Sequence, residues 1–219
     1  MMVMIQTKMA MWWTWARIAV RELGSASRAR SDGVPAWKFE AAEAASLSAE
    51  FERSVTTIAA CAFSMEALCK ELEEAGHTLD TSKIKPKARV SAGYYVGHRL
   101  VAAFGLTGAF ATNLPGALDR IFTLRNDAVH FESVWKAGTH PHPRGWSAAY
   151  ELTVYTLEEA WKSVDLVHEV LIEIAKSITQ KKHDKSAEHI AQEVLGVHSM
   201  FDAVIRTEGL KLSTACGDG

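Results

Sequence analysis

The stretch FERSVTTIAACAFSMEALCKEL, residues 51–72, decides the fold class. Its apolar positions Phe51, Val55, Ile58, Ala62, Met65, Cys69 and Leu72 recur at alternating spacings of four and three. At about 3.6 residues per turn this is one continuous stripe along a helix. A strand would show alternation with a period of two, and no convincing run of that kind stands out along the chain. The helix extends from this stripe over about residues 36–75. Gly76 stops it, because glycine enters the left-handed region that closes helices without a Cβ clash.

The same periodicity organises the rest. A first helix is predicted over Met11 to Leu23, with Gly24 and the Ser/Arg/Gly-rich stretch from Ser25 to Pro35 read as a loop. A third runs from about Ala88 to Phe104, between Pro86 and Gly105. A fourth starts near Pro115, a residue suited to a first turn, and continues to about Phe131. After a polar loop containing HPHPRG, residues 140–145, a helix opens at the capping box Thr156 to Glu159. Its stripe is Leu157, Trp161, Val164, Leu171, Ala175 and Ile178. A last helix covers about Ser186 to Arg206, and the tail from Leu212 is expected to be loose. Five or six helices with modest loops imply an all-α, antiparallel helical bundle. Residues 1–35 form an N-terminal helix and loop, 36–180 the bundle core, and 181–219 a C-terminal helix and tail on the same domain.

Composition narrows the function. A chain of 219 residues with 48% hydrophobic content can bury a full core. A formal net charge of -2 excludes a broadly basic nucleic-acid coat. Local basic groups remain, at Lys83, Lys85, Lys87 and Arg89 and at Lys181, Lys182 and Lys185, with solvated surface the simpler reading of each. Cys61 and Cys69 are eight residues apart on a helix, about 12 Å, too far for a disulfide. Together with Cys216 they read as free thiols of a reducing cytoplasm. The membrane-like run MAMWWTWA, residues 9–16, is far shorter than the roughly 20 residues a spanning helix needs. The expectation is a soluble cytoplasmic protein with no membrane partner. His140 and His142 lack further ligands at diagnostic spacing, so neither a metal nor a cofactor is expected. Trp12, Trp13 and Trp15 fit packing of the first helix better than base stacking. His168, in line with Val164 and Leu171, reads as a core histidine. No P-loop, dinucleotide fingerprint or nucleophile elbow is present.

The fourth helix carries the exception to ordinary patterning. With Leu118 as reference and about 100° per residue, Ile121, Phe122 and Val129 lie within about 60° of it. Arg125 falls about 20° away, inside the apolar stripe. An unpaired charge there costs several kcal/mol, so the arginine needs a counter-charge. Glu66 lies about 40° from Ala62, at the edge of the second helix's stripe, and is the predicted partner. Asn126 and His130 are four apart and share one flank of the fourth helix. Arg125, Asn126 and His130 thus form the candidate catalytic set, with Glu66 supporting it.

The segment RNDAVH, residues 125–130, resembles the Arg-polar-x-x-x-His signature of the HEPN (higher eukaryotes and prokaryotes nucleotide-binding) domains. Residues 121–124 and 62–68 look like the corresponding helices, and the resemblance spans roughly 51–178. It implies a HEPN-like bundle that forms a homodimer and brings two motifs together. It further implies a metal-independent endoribonuclease of toxin–antitoxin or antiviral phage-defence type, with RNA as substrate and an antitoxin or other regulatory protein as partner. In that reading Arg125 is the electrostatic clamp, His130 the acid/base group and Asn126 an auxiliary. The alternative is a non-catalytic HEPN module that binds RNA, a nucleotide or a protein, and a third reading is a purely structural helical subunit. One departure stands out: some toxins of the family carry a modifiable tyrosine two residues after the histidine, where this chain has Glu132.

Overall fold

The computed structural model describes residues 10–31, 40–79, 91–129, 140–141, 147–148, 150–180 and 185–210. Among them are seven α-helices: α1 (Met11–Ser31), α2 (Glu40–Glu74), α3 (Ala92–Phe104), α4 (Gly108–Val129), α5 (Tyr150–Val154), α6 (Leu157–Thr179) and α7 (Glu188–Thr207). A 3-10 turn at Lys185–Ala187 precedes α7, and His140–Pro141 pairs antiparallel with Ser147–Ala148. The protein is an all-helical bundle, as the periodicity requires.

The long α2 is its centre, touching α1, α3, α4 and α6. Of its predicted stripe, Ile58, Ala62, Met65, Cys69 and Leu72 are buried, and Phe51 and Val55 pack against the core from its edge. Gly76 closes the helix as expected, with φ at 86°. The His77 amide donates to the Leu72 carbonyl and the Gly76 amide to that of Glu73, which caps carbonyls the helix leaves open. Helix α1 runs antiparallel to α2. Ser64 donates to the Trp12 carbonyl near one end, and Ser46 donates to that of Ala29 near the other. At that second end Arg30 bridges Glu50, which is buried, and Glu158 of α6.

Two boundaries differ from the expectation. Helix α1 continues through Gly24 to Ser31 rather than turning into a loop. Gly24 is there for space: a Cβ would stand 2.9 Å from the Cβ of Glu208, an atom that cannot swing aside. Helix α4 begins at Gly108, so Pro115 lies inside it instead of in its first turn. Gly97 of α3 faces this proline, where a Cβ would come within 2.5 Å of the Pro115 Cα. Gly93 faces the Leu118 carbonyl in the same way, at 2.6 Å, so α3 and α4 pack backbone to backbone in antiparallel sense.

At α6, Thr156 is the N-cap and its hydroxyl accepts from the Glu159 amide at 3.3 Å. The Glu159 carboxylate accepts from Arg120 and Lys162 instead of folding back on the cap. His168 is buried, 2.7 Å from the Asp202 carboxylate and stacked on Phe201. Among the described residues no helix is long and apolar enough to cross a membrane. The predicted elements at 36–39, 88–90 and 130–131, the basic groups at 83–89 and 181–182, His142, Cys216 and the tail from Leu212 lie outside the described residues.

Candidate functional site

Arg125 sits on α4 one turn before the end of the described helix, following the buried Ile121, Phe122 and Leu124. Its side chain keeps 13% of its exposure, far less than a surface arginine retains. The counter-charge is the one the helical phases point to. Nη1 donates to Oε2 of Glu66 on α2 at 2.9 Å. Glu66 itself is half exposed, with 49% of its side chain open, so the pair lies at a margin of the bundle that water can reach.

Two rings complete the surroundings of the guanidinium. Its carbon lies 5.0 Å from the Phe122 ring centroid and 5.2 Å from that of Phe63, within the range of cation–π attraction. Behind Phe63 stands Trp15 of α1, with ring centroids 5.0 Å apart. Trp12 is fully buried and Trp13 contacts Phe201 of α7, so the N-terminal tryptophans fasten α1 to the bundle. The end of α4 is fastened too. Tyr155, itself buried, donates its hydroxyl to the Leu124 carbonyl at 2.9 Å, immediately before Arg125. That bond lies between distant segments and leaves no periodic trace in the sequence.

Asn126 is exposed on α4, next to Arg125. His130, the third member of the predicted set, and Glu132 lie outside the described residues. Val129, assigned by phase to the apolar stripe, is 60% exposed, although Ala128 beside it packs against the core. Among the described residues after Arg125, Asn126, Asp127 and Val129 are exposed, while Ala128 packs against the core.

A second inward arginine was not singled out in the sequence. Arg99 of α3 is 5% exposed and lies 2.9 Å from Glu73 of α2, without the alignment of a hydrogen bond. Tyr95 accepts from its Nη2 and presents its ring to the guanidinium at 4.9 Å. The phase test that exposes Arg125 would have found it, since Arg99 lies three after Val96 and four before Ala103, both buried. Glu66 and Glu73 are seven residues apart on α2, so two arginines from two helices meet one face of a third. Between them lies Cys69, whose thiol burial pushes up to about 12, with Arg99 pulling modestly the other way. It stays protonated near neutrality and is no nucleophile. Cys61 is a buried free thiol, likewise held protonated by burial. Among the described residues no three His, Cys, Asp or Glu side chains gather closely enough to hold a metal ion.

No protein-family model, curated protein or solved structure matches the chain.

Proposed function

We propose that this chain is a metal-independent endoribonuclease of the HEPN type, acting as a homodimer, in the manner of toxins and phage-defence effectors. The observation that carries the reading is Arg125: a guanidinium set among apolar side chains, paired to Glu66 and flanked by the exposed Asn126. Arg99 shows that this bundle also holds an inward arginine beside a carboxylate and a ring, so what sets Arg125 apart is the exposed Asn126 next to it and the HEPN resemblance of residues 125–130. An arginine that must meet a phosphate gains from a fixed, partly dry setting.

In the proposed reaction the ribose 2′-oxygen forms a bond to the adjacent phosphorus as the bond to the 5′-oxygen breaks. A proton leaves the 2′-hydroxyl and another reaches the departing 5′-oxygen. The products are a 2′,3′-cyclic phosphate and a 5′-hydroxyl. His130 can take or return a proton near neutrality, and the second subunit's copy supplies the complementary transfer. Arg125 stabilises the charge that builds on the phosphoryl oxygens, and Asn126 positions the phosphate or the imidazole. The HEPN resemblance of residues 125–130 supports this assignment of roles.

The test is incubation of the purified protein with RNA in EDTA, beside Arg125→Ala and His130→Ala variants and a 2′-O-methyl substrate. Cleavage confined to wild type and to 2′-hydroxyl RNA is the expected result. Equal cleavage by all three proteins would assign the activity to a contaminant and overturn the proposal. Binding without cleavage would move the chain to the non-catalytic class that binds RNA, a nucleotide or a protein partner.

A further inference from the structure

We infer that Phe63 is a positioning residue, which together with Phe122 fixes the plane of the Arg125 guanidinium. The inference rests on the reading of Arg125 as the anion-binding group of the site. An arginine side chain has many rotamers to choose from, and a mobile cation would act on a phosphate only as a diffuse charge. Something must hold the fork still before an anion arrives.

Glu66 alone cannot do so. It engages the guanidinium through Nη1, and a single hydrogen bond leaves the plane free to pivot about the contact. Nε is buried and finds no acceptor among the described residues, so no hydrogen bond at that nitrogen sets the orientation. Among the described residues, the further contacts of the guanidinium are the two rings at 5.0 and 5.2 Å. Ring faces attract a cation and a planar guanidinium stacks on them, an interaction that strengthens where water is partly excluded. The rings come from different helices. Phe122 belongs to α4 itself, one turn before Arg125, whereas Phe63 reaches across from α2. Trp15 of α1 backs Phe63 in turn, so the arginine's plane is referred to three helices.

Phe63 is also the member that can be exchanged. Phe122 is almost fully buried, and altering it would disturb the core. Phe63 is half-buried at the rim. Phe63→Leu keeps comparable apolar bulk and removes the ring, whereas Phe63→Tyr keeps the ring. Lysine at 125 would keep the charge and lose the plane.

The direct measurement is NMR of the Arg125 Nε–H group, assigned with Arg125→Lys, in parallel with single-turnover RNA cleavage. Wild type should show a ring-shifted, slowly exchanging resonance. In Phe63→Leu the shift should fall to the part that the remaining Phe122 ring supplies and exchange should accelerate, and in Phe63→Tyr both should stay near wild type. The single-turnover rate of Phe63→Leu at saturating enzyme should fall on the order of tenfold, with the half-saturating enzyme concentration within about twofold. A wild-type resonance at the ordinary arginine position overturns the inference without any variant. So does an unchanged resonance in Phe63→Leu, or a Phe63→Tyr protein that behaves like Phe63→Leu. A wild-type protein with the shifted resonance and no cleavage of RNA sinks the ribonuclease reading and leaves the positioning role standing.

Discussion

Removing the Glu66 carboxylate should destabilise the fold by an amount set by the half-open position of the pair. Breaking a fully buried ion pair costs about 3–5 kcal/mol, because the surviving charge is stranded, whereas exposed pairs contribute about 0–1 kcal/mol. Here the arginine keeps 13% of its exposure and the carboxylate 49%, so the cation left by Glu66→Ala can be partly rehydrated. The two ring faces also remain. A loss of about 1–2 kcal/mol follows, which for a domain of this size lowers Tm by roughly 2–8 °C. In a double-mutant cycle with Arg125→Met, about 1 kcal/mol should appear as coupling. Thermal melts of the four proteins at low and high salt measure it, and salt should remove only part of the coupling. Coupling indistinguishable from zero, or a Glu66→Ala protein more stable than wild type, would refute the reasoning that a stranded charge is at stake.

Gly97→Ala should destabilise by about 1–3 kcal/mol, since the new Cβ meets the Pro115 backbone at 2.5 Å, whereas exposed Gly116, with nothing within 4 Å, should tolerate alanine and gain about 0.5–1 kcal/mol. Denaturant melts of the two variants should move in opposite directions. Tyr155→Phe leaves the buried Leu124 carbonyl short of a donor and should cost about 1 kcal/mol, with faster amide exchange at the end of α4. The hydrogen bond from Arg30 draws the Glu158 carboxyl down to about 2 from an ordinary 4.5. A carboxyl depressed in the folded state stabilises above its ordinary value, and that stability is lost as pH falls from about 4.5 toward 2. With 43% of Glu158 exposed, solvent screening limits this contribution to about 1 kcal/mol, and Glu158→Gln should flatten the acid limb of a pH–stability curve by that amount.

The helices were legible because their apolar stripes have the right period, and the Glu66–Arg125 pair because each charge falls within or beside such a stripe. Periodicity tells which face of a helix turns inward, but not which neighbour it meets. The contacts of Phe63 with Arg125 and Trp15, and of Tyr155 with Leu124, are therefore visible only once the helices are packed. Gly24 and Pro115 misled for a related reason. Both are local helix punctuation, yet each lies inside a helix at a close tertiary approach, of Glu208 on one and of Gly97 on the other. Val129 erred the other way: phase directs it inward, yet it is exposed one turn after Arg125.

The measurement that tests the central claim most directly is the single-turnover rate of RNA cleavage in EDTA by wild type and Arg125→Ala under identical conditions. Loss of a positioned donor to transition-state charge predicts a fall of roughly 10²–10³-fold. Equal rates for the two proteins would contradict the account.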